Sequence, residues 1–148
     1  MQFLALVALL PLVSAHFRLN YPVSRTFNED TLPQFPCGGQ NTVNATRTSW
    51  PLTGGPIQLF MGHTSTKVQV LIALGNNPGS AFNTILVPTT QEDGPNNFCL
   101  GSVYVPSTIG GMTVTAGMNA TIQVVSNGDP TGGLYNVRSL RKSTTSIG

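Results

Sequence analysis

His16 and His63 are the chain's 2 histidines, and they are the residues with the clearest chemical potential. One of them follows a stretch that reads as a cleavable leader. Residues Gln2 to Val13 form an apolar run too short to span a bilayer, and Val13-Ser14-Ala15 ends it on residues small enough for signal peptidase. A cut after Ala15 makes His16 the first residue of the mature protein. Its free α-amine and its Nδ1 can then close a chelate around one metal ion, with a second histidine completing a roughly T-shaped set of nitrogens. Tetragonal nitrogen ligation of this kind favours Cu(II) over zinc or magnesium, and the amine must shed its proton to take part.

Taken alone, His63 reads as an exposed or turn-satisfied loop residue. Paired with an N-terminal His16, the metal reading takes precedence. Carboxylates are scarce, with Asp and Glu together numbering 5. Asp129, in Asn127-Gly128-Asp129-Pro130, reads equally as an Asx-turn former and as a metal ligand. Asp30 is the reserve ligand, while Glu92 and Asp93 read as solvated turn residues.

Other catalytic constellations fail on inventory. No Gly-x-Ser-x-Gly elbow accompanies His63 for a serine triad, no separated carboxylate pair suggests a glycosidase, and no Cys-x-x-Cys or phosphate-cradling glycine loop is present. A net charge of +2, with Arg138, Arg141 and Lys142 the only basic cluster, leaves no nucleic-acid footprint. The 148 residues, 40% hydrophobic and only 8% charged, suit one turn-rich domain with a real core.

The elements that must position the histidines are strands. Ile57, Leu59 and Met61 alternate with polar or outward neighbours, and so do Val68, Val70, Ile72 and Leu74. His63 lies between these two runs, in what reads as a hairpin loop. Thr84 to Val87, Val103 to Val105, Met112 to Thr115 and Thr121 to Val125 follow as short strands between turn signals, and no window carries a helical stripe. The pattern predicts an all-β fold, an antiparallel sandwich of immunoglobulin or fibronectin type III character. Residues 16 to 56, broken by prolines, read as irregular chain wrapped over a sheet. The expected plan is a signal peptide over 1–15, a sandwich domain over 16–137 and a loose basic tail over 138–148. Asn44 and Asn119 head glycosylation sequons. In an exported chain Cys37 and Cys99 would by default form one disulfide.

Several segments together carry a family resemblance. They are His16-Phe17-Arg18-Leu19-Asn20-Tyr21-Pro22, Arg25-Thr26-Phe27-Asn28-Glu29-Asp30, Pro36-Cys37-Gly38-Gly39, Arg47-Thr48-Ser49-Trp50-Pro51-Leu52, Phe98-Cys99, Asn119-Ala120-Thr121-Ile122-Gln123-Val124 and Gly132-Gly133-Leu134-Tyr135. The chain resembles the fungal copper acquisition factors, a family similar to lytic polysaccharide monooxygenases. The resemblance implies an immunoglobulin-like sandwich at the cell surface that binds one copper ion through His16, His63 and Asp129. It implies copper handling rather than polysaccharide cleavage. Family members continue after the Leu-Tyr pair into a Cys-Ala-Asp strand, where this chain reads Val137-Arg138-Ser139. Such a C-terminus is expected of a splice variant or a misplaced gene end, with no lipid-anchor signal and a last strand that could be lost. It leaves the Cys37–Cys99 pairing and the identity of the carboxylate ligand open. The expected protein is a secreted, non-catalytic monomer that binds Cu(II), with a membrane copper transporter as a further partner and no nucleic acid. Its rivals are a copper-dependent polysaccharide monooxygenase and a structural glycoprotein of the cell wall.

Overall fold

The computed structural model describes residues 16–129 and 132–144, the side chains of residues 128 and 129 excepted. The expected signal peptide therefore lies outside the described residues. The elements run β1 (Phe17–Tyr21), a short 3-10 turn (Glu29–Thr31), β2 (Thr48–Pro51), β3 (Gly54–Met61), β4 (Thr66–Leu74), β5 (Thr84–Glu92), β6 (Asn96–Tyr104), β7 (Thr108–Ile109), β8 (Met112–Thr113), β9 (Asn119–Asp129) and β10 (Gly132–Ser143). A three-stranded sheet, β1-β3-β6, faces a five-stranded sheet, β2-β10-β9-β4-β5, and β7 and β8 form a separate small hairpin.

Period-two alternation builds both layers. Ile57, Leu59 and Met61 from β3, Val68, Val70 and Ile72 from β4, and Ile122 and Val124 from β9 are at most 1% exposed and form one core with Phe17, Leu19, Trp50, Leu134 and Leu140. Each such side chain contributes roughly 1.5–3 kcal/mol by leaving water. The all-β sandwich is thus the observed architecture.

Three expectations need correction. The 62–65 segment is not a hairpin loop: β3 is flanked on both sides by β1 and β6, so it has no edge left for β4, and the chain crosses to the other sheet instead. The proline-rich N-terminal stretch is not wholly irregular, since β1 and β2 form within it. Residues 138 to 143 are not a loose tail but the second half of β10. That half pairs antiparallel with β9 up to Arg141↔Asn119 and parallel with β2 from Leu140↔Thr48 to Ser143↔Pro51. Arg138 and Lys142 share the core-facing side with Leu140, and their charged heads reach oxygen at the sheet edge. Arg138 donates to Thr48 Oγ1 at 3.1 Å and to the Thr46 carbonyl at 3.2 Å, and Lys142 Nζ donates to the Pro51 carbonyl at 2.6 Å.

The first half of β10 is closed by the N-terminal wrap. Arg25 N–H donates to the Val137 carbonyl at 2.9 Å and Tyr135 N–H to the Leu32 carbonyl at 2.9 Å. The Gln40 side chain accepts from Val137 N–H at 3.2 Å and donates to Asn136 Oδ1 at 2.8 Å. Gly38 sits against the Tyr135 carbonyl at φ +60°, a place and a conformation that exclude a side chain.

Cys37 and Cys99 are both free. Cys37 is buried in the wrap beside β10, while Cys99 is exposed on β6 of the other sheet. The default disulfide is therefore absent, because the two thiols belong to opposite layers.

Candidate metal centre

His16 is held by the residues around it. Phe17, 1% exposed, anchors the start of β1 in the core, and its carbonyl accepts from Asn136 Nδ2 at 3.1 Å. β1 pairs with β3 from Phe17↔Met61, and one step further Gly62 N–H donates to the His16 carbonyl at 3.0 Å. His63 is the next residue, half-buried in the crossover between the sheets. The sandwich thus brings the backbones carrying the two histidines together at one end of the molecule. The 93–95 turn between β5 and β6 braces this end, with Gly94 N–H donating to the Thr64 carbonyl at 2.9 Å.

The carboxylate beside His16 is Glu29, which the sequence did not single out. Its Oε2 lies 3.3 Å from His16 Nδ1, with the side chains 52% and 30% exposed respectively. The 3-10 turn sets this register: Asn28 Oδ1 accepts from Asp30 N–H at 3.0 Å, and Asp30, the reserve ligand, is exposed beside it. Adjacent acids cannot be told apart by spacing alone, and only the turn geometry selects between them.

His16 and Glu29 line a cleft of about 330 Å³ together with Phe27, Asn20 and Phe60. The Arg18 guanidinium lies over the Phe27 ring at 4.3 Å from its centre, a cation–π contact that holds the cleft wall. Metal bonds of about 2.0–2.2 Å at a right angle put two donors roughly 3 Å apart. The His16–Glu29 spacing therefore suits two neighbouring donors on one ion. Among the described residues no group of three or more His, Cys, Asp or Glu side chains converges.

The other expected residues are distributed as follows. Asp129 ends β9, its backbone in register with Gly132, and its side chain lies outside the described residues. The β4–β9 register, Val68↔Ser126, puts that strand end on the same side of the sandwich as His63. Glu92 closes β5, its carboxyl pushed above the usual range by burial and then by Asp93. Asn44 lies half-buried in the loop before β2, and Asn119 is the half-buried first residue of β9.

Residues 14–140 match the family described as copper acquisition factor BIM1-like. The chain belongs to that family. Its relatives include an uncharacterised protein of Aspergillus fumigatus, 50% identical over 95% of this chain and 58% of that protein. The lytic polysaccharide monooxygenase-like protein X325 of Hypocrea jecorina is 32% identical over 92% of this chain and 67% of its own length. Copper acquisition factor BIM1 of Cryptococcus neoformans var. neoformans is 33% identical over 85% of this chain and 59% of its own length. This member of the BIM1-like family thus spans between a half and two thirds of the length of these curated relatives. Among the described residues no helix is long and apolar enough to cross a membrane.

Proposed function

We propose that this chain is a secreted, non-catalytic carrier that binds one Cu(II) ion at the fungal cell surface and passes it to a membrane copper transporter. In this reading residues 1–15 are removed as a signal peptide, and the ion is held by the His16 amine and imidazole, by His63 and by a carboxylate. Asp129 is the carboxylate that the resemblance names, and Glu29 is the one beside His16. The observation that carries the reading is the Gly62 N–H bond to the His16 carbonyl at 3.0 Å, which sets the two histidine backbones side by side. Membership of a copper acquisition family gives the metal its identity.

The test is N-terminal sequencing and intact mass of secreted protein, followed by Cu(II) calorimetry and electron paramagnetic resonance. The expected result is a chain starting at His16, one copper per chain and a nitrogen-rich tetragonal spectrum that H16A and H63A each abolish. A different N-terminus, or a copper spectrum untouched by both variants, overturns the reading. Oxidised oligosaccharides released from chitin or glucan by the copper-loaded protein with a reductant would replace the carrier with an enzyme.

A further inference from the structure

Most of the charge is segregated along the sandwich, with Arg18 on the wall of the His16 cleft and Lys67 at the start of β4 as the cations on the acidic side. Glu29 and Asp30 lie at the His16 end, and Glu92 and Asp93 lie at the turn that braces His63. Arg25, Arg47, Arg138, Arg141 and Lys142 gather instead toward the other end, around β2, the start of β9 and the end of β10. Among the described residues none of these cations has a carboxylate partner, the ion pair present being His16–Glu29. Three of them are buried and spend their donors on neutral oxygens. Arg25 donates to the Gln40 carbonyl at 3.2 Å, to Ser139 Oγ at 3.0 Å, to Thr121 Oγ1 at 3.2 Å and to the Asn76 carbonyl, and Arg138 and Lys142 bond as described above.

The other two face a pocket whose wall Lys142 shares. Arg47 uses Nε on Asn76 Oδ1 at 2.9 Å, a bond that leaves its terminal nitrogens available. Arg141 is exposed, and its guanidinium has no protein partner among the described residues. Both line a hollow of about 320 Å³ with Ser49, Gly117 and Thr144, and among the described residues no carboxylate contributes to its wall. Arg141 and Ser49 are register partners of the parallel β10–β2 pair, so a guanidinium and a hydroxyl are neighbours on one face. Two planar forks and a hydroxyl donor around one hollow match a tetrahedral oxyanion.

We propose that this pocket binds a phosphate group, with Arg47 and Arg141 as the charged donors and Ser49 as a hydroxyl donor. The group is free inorganic phosphate or the headgroup phosphate of a lipid. Binding there lies at the opposite end of the sandwich from His16, so a surface-held phosphate would leave the metal end turned outward.

The experiment titrates the full secreted chain with inorganic phosphate at constant ionic strength, followed by amide shifts in NMR, with sodium chloride as the ionic control. Saturable shifts on Arg47, Ser49 and Arg141 are expected, weakened about fivefold or more by R47Q or R141Q and abolished by the double variant, with K67Q unchanged. Thermal unfolding shows that each variant is folded. A second arm floats the protein with vesicles of phosphatidylcholine alone or with added phosphatidylinositol phosphate. Phosphate binding without flotation identifies free phosphate as the ligand, and flotation that depends on both arginines identifies the lipid headgroup. Equal shifts with chloride, loss of binding in K67Q to the same degree, or a double variant that binds like the wild type in both arms overturns the proposal.

Discussion

Gly94 lies so close to the His63 carbonyl oxygen that a β-carbon on residue 94 would collide with it. The same glycine donates its N–H to the Thr64 carbonyl at 2.9 Å, so the β5–β6 turn and the histidine crossover are fitted to each other at the backbone. An alanine here must push the crossover away, since a carbonyl in a braced loop gives less readily than a side-chain tip. G94A is expected to cost about 1–3 kcal/mol of stability and to lower copper affinity together with it. A G94A protein with wild-type urea midpoint and wild-type copper titration would show that the turn does not set the position of His63.

The Glu29 carboxylate beside His16 makes a separate prediction. A negative charge next to a bound dication favours binding whether or not it enters the coordination sphere, although solvent screens a half-exposed group. E29Q keeps the shape and removes the charge, and copper affinity is expected to fall about tenfold while stability stays within about 0.5 kcal/mol, as is usual for such surface changes. If Glu29 is itself a ligand, the copper resonance parameters shift as well. Unchanged affinity in E29Q would reduce the pair to a surface contact.

Lys142 gives the clearest dependence of stability on pH. It is 1% exposed, and burial pushes its ammonium down from 10.5 to about 8. Between those values the unfolded chain holds the proton more often than the folded one, so stability attributable to this residue rises as pH climbs from about 8 to 10.5. Below that window the full burial penalty applies, about 3 kcal/mol at most. Burial pushes the Cys37 thiol up, which acts with the opposite sign in alkaline solution. The comparison is therefore between wild type and K142M, not along the wild-type curve alone. K142M is expected to melt higher at pH 7, with the gap closing toward pH 10.5; parallel curves would show that the ammonium finds better solvation than its one carbonyl partner provides.

Much of the core could be read from the sequence. The inward sets of β3 and β4 follow from alternation, and the strands and the loop holding His63 fall where that alternation starts and stops. Sheet membership could not be read, because alternation states which residues face inward but not which strand lies alongside. That is why a crossover read as a hairpin. The extent of β10 was hidden for a different reason: Asn136, Arg138 and Lys142 occupy core-facing positions where apolar residues are expected, and their polar heads are satisfied by β1, by β2 and by the chain that leads into β2, all distant in sequence. Glu29 escaped notice because a one-residue choice between it and Asp30 is made by a capped 3-10 turn rather than by any sequence period.

The two thiols should behave as differently as their layers. Cys99 lies exposed on β6, opposite Gln58 of β3, and an accessible thiol reacts through its thiolate at ordinary rates. Cys37 is 2% exposed, its neighbour Pro36 is tied by Gln123 Nε2 at 2.6 Å, and burial disfavours its thiolate despite the nearby Arg25 charge. Reducing-agent-free protein treated with a maleimide is expected to take one label quickly, mapped to Cys99 by peptide mass, and a second only in denaturant. C99S should remove the fast label and leave the melting temperature nearly unchanged. C37S places a more polar hydroxyl in a buried site and is expected to cost about 1–3 kcal/mol. Failure of the native protein to take any label, with both cysteines recovered in one cross-linked peptide, would mean that the two layers approach each other far more closely than this fold allows.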